Sequence, residues 1–144
     1  EKKISQLTAK GSALATTDLF AIAKSDGAGG YDSKYITGAE ISQVIIDNKT
    51  ASYTLVLADA NKLVEVNNGS ANTLGVPLNA TDAYAIGTRI IIAQQGAGQT
   101  TITPISGVTL RSSGGKLKIA AQYGIATLIK RATNEWYVYG DLTT

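Results

Sequence analysis

The sequence predicts a mainly β protein: a small N-terminal β/α module followed by an antiparallel, jelly-roll-like β-sandwich domain. Short runs rich in Ile, Val, Thr and Tyr recur along the last two thirds of the chain at intervals of about ten residues. Turn sequences with Gly or Asn separate these runs, and several runs alternate between apolar and polar residues. This pattern fits a sandwich or a barrel and excludes a series of β-α-β units.

The boundary between the two domains is predicted at a polar segment, DNKTAS at residues 47–52. It divides the chain into an N-terminal module over residues 1–50, which we expect to dock onto a larger partner, and a β-sandwich domain over residues 53–144. A chain of this size has room for only a modest core, so oligomerisation is a natural additional source of stability.

The N-terminal module is predicted to contain two strands, at residues 19–24 and 31–37. A glycine-rich stretch connects them. Its DGAGGYD sequence frames the loop with two carboxylates, but the spacing lacks the alternating oxygen ligands of a calcium loop, so we interpret it as a hairpin turn. The TGAE sequence at residues 37–40 fits a capping box, and the apolar residues that follow have helical spacing. We therefore predict a short helix over about residues 38–47.

The β-sandwich domain is predicted to contain eight or nine strands, from nine candidate runs. They lie at residues 53–57, 63–67, 72–78, 88–94, 100–105, 108–111, 117–121, 125–131 and 136–139. The Asn-Gly turn at residues 67–70 predicts a hairpin between the second and third of them. The isoleucine-rich run at residues 88–94 predicts a central strand that is buried on both faces.

Composition narrows the possible functions. The chain has no histidine, cysteine or methionine, which excludes a histidine base, a cysteine nucleophile, a His/Cys metal site and a disulfide. The net charge of +2 gives no indication of a nucleic-acid or membrane partner. No apolar stretch approaches the ~20 residues that a membrane-spanning helix needs. We expect no enzymatic activity, no metal and no cofactor.

Glycosidases use a pair of carboxylates for catalysis, so they are the one enzyme class that we consider for this chain. Asp59 and Asp82 lie in turn sequences, where aspartates commonly accept hydrogen bonds from backbone amides. Glu65 lies between two valines of a predicted strand, as a solvent-facing residue would. Glu135 and Asp141 complete the candidates, and structural roles are favoured over catalysis for all five.

Basic residues accumulate toward the C-terminus, at Lys116, Lys118, Lys130 and Arg131. A nucleic-acid surface would combine such charges with exposed aromatic rings. Lysines on alternate strand positions also keep exposed faces soluble and strand edges unpaired. We therefore favour a solvated face.

Four aromatic residues near the C-terminus are candidate subunit or receptor contacts: Tyr123, Trp136, Tyr137 and Tyr139. Tyr and Trp combine a large apolar area with a polar group and are enriched at interfaces. Ordinary core or half-buried strand positions are an equal alternative. Alternation in the last strand predicts Trp136 on one face and the two neighbouring tyrosines on the other. Large side chains on both faces favour a contact between one of these faces and another subunit.

Several motifs resemble those of tailed-bacteriophage fibre and appendage proteins, in order as well as in sequence. In the N-terminal part they are KISQL at residues 3–7, TDLFAI at 17–22 and YITGAEI at 35–41. In the C-terminal part they include YTLVLAD at 53–59, LVEVN at 63–67, QQGAGQ at 94–99, GGKL at 114–117 and GDL at 140–142. The latter resemble a β-rich domain of phage tail and head fibres.

The resemblance implies a structural protein of the virion, commonly a homotrimer, and it transfers no catalytic residue. The N-terminal module would attach to other virion proteins of the tail, collar or capsid, with Leu19, Phe20 and Ile22 as candidate docking contacts. The β-domain would form the body of the trimer. Two alternatives remain open: a capsid decoration or head-fibre protein, and a module that binds glycans of the host surface.

Overall fold

The computed structural model describes residues 19–25, 31–37 and 43–144. The chain forms two compact units, Glu1–Gln43 and Val44–Thr144. The second unit begins a few residues before the predicted boundary, because the segment after residue 43 contributes a strand to its sheets.

The N-terminal unit contains an antiparallel hairpin. Strand β1 (Leu19–Ser25) pairs with β2 (Tyr31–Thr37), and the register places Leu19 opposite Thr37. Both strands match the sequence prediction. The predicted glycine-rich turn at residues 26–30 lies outside the described residues.

The predicted helix over residues 38–47 is wrong in its second half, and its first part lies outside the described residues. Residues 43–45 form no helix, and Ile46–Lys49 forms strand β3. Strand β3 pairs in parallel with Leu63–Val66, with Ile46 opposite Leu63. A β-branched residue such as Ile46 suits a pleated sheet, so tertiary pairing overrides the helical spacing of the sequence.

The C-terminal unit consists of two mixed β-sheets. After β3 come β4 (Tyr53–Thr54), β5 (Leu63–Val66), β6 (Asn72–Val76), β7 (Arg89–Gln94), β8 (Thr100–Pro104), β9 (Thr109–Ser112), β10 (Lys118–Ile119), β11 (Ile125–Ala132), β12 (Glu135–Gly140) and β13 (Leu142–Thr143). The six-stranded sheet has the order β3-β5-β7-β11-β12-β9, and the five-stranded sheet has the order β13-β10-β8-β6-β4. The mainly β prediction is therefore confirmed.

The sheets are mixed rather than antiparallel, which corrects the predicted topology. From β3 to β10 the chain alternates between the two sheets, and up to β9 successive strands of one sheet run in the same direction. The pairs β3–β5, β5–β7, β4–β6, β6–β8 and β9–β12 are parallel. Antiparallel pairing appears where β11 and β12 turn back within the six-stranded sheet, and around β10 in the five-stranded sheet.

The Asn-Gly turn does not close a hairpin, because it carries the chain from β5 in one sheet to β6 in the other. It stacks on the equivalent turn between β7 and β8, where the amide of Gly98 donates to the carbonyl of Asn68 at 2.9 Å. A Cβ atom added to Gly98 would lie 2.0 Å from the carbonyl oxygen of Ser70. Glycine at this position therefore permits the close approach of the two turns.

The hydrophobic core lies between the inner faces of the sheets. The six-stranded sheet contributes Val64, Val66, Ile90, Ile92, Ala126, Leu128, Trp136 and Val138, and strands of the five-stranded sheet contribute Leu74, Val76, Ile102 and Ile119. Trp136 is fully buried, and its ring meets the ring of Tyr84 edge-on with centroids 5.2 Å apart.

The strand predicted to be buried on both faces, β7, is central but alternates. Ile90 and Ile92 are buried, whereas Ile91 and Ala93 between them are only partly buried. Within the described ranges, no helix has the length and apolar character that a membrane crossing requires.

Candidate interaction surface

The outer face of the six-stranded sheet carries a row of side chains, apolar except for Thr127, that crosses five of its strands; we call it the apolar row. The strand register aligns Ile46 with Leu63, Leu63 with Ile91, Ile91 with Thr127, and Thr127 with Tyr139. Three further apolar side chains, Ile125, Ile129 and Tyr137, occupy outward positions beside this row. We call these eight residues the Ile/Tyr face.

Four of the eight residues of the Ile/Tyr face are exposed in the isolated chain, and the other four are partly buried. The exposed fraction is 60% for Ile46, 46% for Ile125, 47% for Tyr137 and 53% for Tyr139. Single exposed apolar residues are ordinary on protein surfaces, whereas a large contiguous group is typical of interaction sites.

The outer face of the five-stranded sheet has a different chemistry. Its register aligns Thr73 with Thr101 and Thr101 with Lys118, and it places Thr103 beside Gly75 and Thr143 beside Lys118. Threonine keeps the β-branched shape that strands favour and offers a hydroxyl to water. This second surface, the Thr face, is thus suited to solvent.

Charged residues border the Ile/Tyr face on both sides. Glu65 follows Leu63 by two residues on β5, and Arg89 precedes Ile91 by two residues on β7, so the two lie on opposite sides of the apolar row. Among the described residues, neither Glu65 nor Arg89 takes part in an ion pair.

A charged network lies on the arginine side of the face. Glu135 accepts from Nε of Arg111 at 2.7 Å and from a terminal nitrogen of Arg131 at 2.6 Å. Nε of Arg131 in turn donates to the hydroxyl of Tyr137 at 3.0 Å. The hydrogen bond from Arg111 and the charge of Arg131 hold the pKa of Glu135 below its usual value. The network therefore orients Tyr137 at the border of the face.

A groove of about 420 Å³ lies where β9 meets β12. Its walls include Arg111, Ile129, Tyr137 and Tyr139, so it is part of the Ile/Tyr face. Two tyrosine rings beside an arginine form a surface on which a flat apolar or sugar ring could stack.

The predicted aromatic contacts separate in the structure. Tyr137 and Tyr139 lie on the Ile/Tyr face, whereas Tyr123 lies on the turn before β11, 74% exposed and with a positive φ of 67°. Trp136 belongs to the core, which corrects its place among the candidate contacts. Strand alternation explains the separation, because Trp136 and Tyr137 are consecutive in β12 and point to opposite faces.

The prediction of a solvated basic face is wrong for Lys130. This side chain points inward from β11 and is only 2% exposed. Its Nζ donates to Oδ1 of Asn79 at 2.7 Å and lies 5.2 Å from the ring centroid of Trp136. Burial lowers the pKa of the Lys130 ammonium group from its ordinary value of 10.5.

Three of the five carboxylates weighed for catalysis accept hydrogen bonds from the backbone. Asp59 is buried and accepts from the amide of Val56 at 2.8 Å, and Asp82 accepts from the amide of Leu57 at 2.8 Å. Asp141 accepts from the amide of Ile125 at 3.2 Å. The predicted turn roles of Asp59 and Asp82 are thus confirmed. In the described part of the chain, no three acidic residues are grouped as a metal site would require.

The candidate docking contacts Leu19, Phe20 and Ile22 lie on β1, opposite Thr37, Ile36 and Lys34. Sequence reasoning missed Ile46, Leu63, Ile91 and Ile129 as members of a contact surface. The available signal was the isoleucine run in β7, since apolar residues at consecutive strand positions place apolar side chains on the outer face as well as the inner one.

Comparison of the chain with protein families, with curated proteins and with solved structures finds no match.

Proposed function

We propose that this chain is a structural subunit of a bacteriophage virion, a fibre or appendage protein without enzymatic activity that assembles as a homotrimer. The N-terminal unit attaches to the tail or collar, and the β-domain forms the body of the trimer. The observation that carries the proposal is the Ile/Tyr face, an outward and largely apolar sheet surface in a unit whose other sheet presents the Thr face.

The hydrophobic effect supplies the driving force. Removing apolar surface from water contributes about 25 cal/mol per Å², so covering large isoleucine and tyrosine side chains favours association. Tyrosine is also enriched in the cores of protein interfaces. The sequence resemblance to phage fibre and appendage proteins supplies the virion context and the trimeric state.

The proposal is tested by locating the protein in purified phage particles. An antibody against the β-domain, carrying a gold label, should mark one structure of the particle in electron micrographs. Label at the tail or collar supports the proposal as stated, and label over the capsid favours a decoration or head-fibre protein. A virion role would be refuted if no particle is labelled and if the chain is also absent from the proteins of the purified particles.

One observation favours a second candidate, a host-glycan-binding module. The groove beside Tyr137 and Tyr139 offers stacking surfaces next to Arg111. Glycan-array binding that is lost in Tyr137→Ala and retained in Tyr123→Ala would support this function. Binding to no glycan would exclude it.

A further inference from the structure

We infer that the apolar row of the Ile/Tyr face runs parallel to the three-fold axis, and that Glu65 of each subunit pairs with Arg89 of the next. The inference rests on the proposed homotrimer and specifies how its subunits meet. It follows from the position of two charges relative to the apolar row.

The two charges lie on opposite borders of the row. The register aligns Glu65 with Ala93, and Ala93 with Ile125, in a line on one side of the row. Arg89 aligns with Ile129, and Ile129 with Tyr137, in a line on the other side. Each line is two residues away from the apolar row, which is about 7 Å along a strand.

A three-fold axis parallel to the row joins these opposite borders. Rotation about such an axis changes no position along it, so the glutamate border of one subunit meets the arginine border of the next at the same height. Glu65 lies on β5 and Arg89 on the adjacent strand β7, so the two charges are offset by one strand spacing, about 4.8 Å. Long side chains span this offset, and three identical contacts close the ring.

An axis parallel to the strands would join different parts of the surface. It would bring the Ile46 end of the row against the Tyr139 end of the next subunit. Rotation about that axis leaves positions along the strands unchanged. The Glu65 side of the row in one subunit would therefore meet the Glu65 side in the next, and Glu65 would not meet Arg89. The first arrangement is favoured because it covers the apolar row and gives each border charge an opposite charge.

Charge reversal tests the pairing. We would compare Glu65→Arg, Arg89→Glu and the double variant with the parent chain, using light scattering over a series of protein concentrations. Like charges across a contact disfavour association, so each single reversal should raise the concentration of half-dissociation by about tenfold or more. The double variant restores opposite charges and should return within about threefold of the parent.

The Thr face supplies matched controls. Thr73→Arg and Thr103→Glu add charge at exposed positions of the other sheet and should leave assembly unchanged. The milder variants Glu65→Gln and Arg89→Gln should weaken assembly less than the reversals, and circular dichroism confirms that each variant is folded.

The outcomes separate this inference from the proposed function. A stable trimer that neither reversal weakens, or single losses that the double variant does not recover, overturns the pairing and leaves the virion role standing. A parent chain that is monomeric or dimeric overturns the inference as well. Failure of the virion role would appear only in the labelling of phage particles.

Discussion

The two outer faces of the C-terminal unit are both built on extended strands but carry different side chains. Both require residues that favour extended strands. The five-stranded sheet uses Thr73, Thr101 and Thr103, while the six-stranded sheet uses Ile91, Ile129 and Tyr137 at the equivalent outward positions. Strand propensity is satisfied in either case, so propensity does not explain the difference. The isoleucine and tyrosine side chains of the second face are the reason for proposing that this face is covered by another subunit.

The same sheet also allows its inner and outer faces to be compared. Inner residues such as Leu128 and Trp136 are fully buried within one subunit, whereas their outward neighbours are half-buried or exposed. Apolar residues of the two faces should therefore respond differently to mutation. Inner residues should stabilise the fold itself, and outer residues should stabilise the assembly.

The largest effect is expected from Trp136→Ala. Removal of a fully buried indole leaves a cavity and should lower the free energy of unfolding by about 3–5 kcal/mol. In urea titrations the loss should be present at every protein concentration. Tyr137→Ala, the matched variant on the outer face, should produce a loss that grows with protein concentration. Equal, concentration-independent losses would contradict the distinction between the faces.

Glycine substitutions extend the comparison to the turns that join the sheets. Gly98→Ala forces a Cβ against the backbone of Ser70 and should destabilise the fold by about 3 kcal/mol. Gly69→Ala meets no atom within 4 Å and should change stability by less than about 1 kcal/mol. Thermal unfolding of both variants measures the difference, and similar melting temperatures would refute the stacked-turn account.

Lys130 is a charged residue on the otherwise mainly apolar inner face of the six-stranded sheet, so its replacement measures the cost of burying that charge. Its lowered pKa means that the unfolded chain binds the proton more tightly, so burial destabilises the protein while the ammonium group is charged. This penalty is complete below the folded-state pKa and fades as the pH rises toward the ordinary value of 10.5. Lys130→Met should therefore be more stable than the parent at pH 7, by about 1 kcal/mol or more.

The pH dependence supplies the check. The advantage of Lys130→Met in urea titrations should shrink between pH 7 and pH 10.5, because the parent chain loses its penalty over that range. An advantage that stays constant with pH would show that the charge of Lys130 is not the cause.

The smallest effect is expected at the border of the Ile/Tyr face, from Glu135→Gln. The arginines lower the pKa of Glu135, so its contribution is present above the ordinary glutamate pKa and is lost as the pH falls through the folded-state value. The parent should melt slightly above the variant at pH 7 and together with it near pH 2. Added salt should reduce the difference at pH 7, and a difference that survives at pH 2 would exclude the ion pairs as its source.

Sequence reasoning recovers most strands of the C-terminal unit but not their connections. Alternation and turn residues locate β5 to β12 within a few residues. Local signals could not show that the Asn-Gly turn crosses between sheets, because the same dipeptide serves a hairpin and a stacked turn. The second half of the predicted helix forms strand β3 instead for a similar reason. Pairing of β3 with β5 depends on residues that are distant in the sequence, and local spacing does not show it.

The interaction surface was predictable in part. The C-terminal strand pattern places Tyr137 and Tyr139 together on the face opposite Trp136, but the neighbours that complete the Ile/Tyr face come from four other strands. Their grouping depends on strand order, which the sequence pattern does not encode. The burial of Lys130 was missed for a related reason, because lysine at a strand position is ordinarily exposed.

The most direct test of the account is the molar mass of the parent chain and of Ile91→Asp, measured by light scattering at micromolar concentration. The parent should have about 45 kDa, three times the 14.9 kDa chain, and Ile91→Asp should dissociate because it places a charge in the centre of the Ile/Tyr face. Thr101→Asp, at a comparable position of the Thr face, should remain a trimer. A parent of 14.9 kDa, or an Ile91→Asp variant that remains a trimer, would contradict assembly through the Ile/Tyr face.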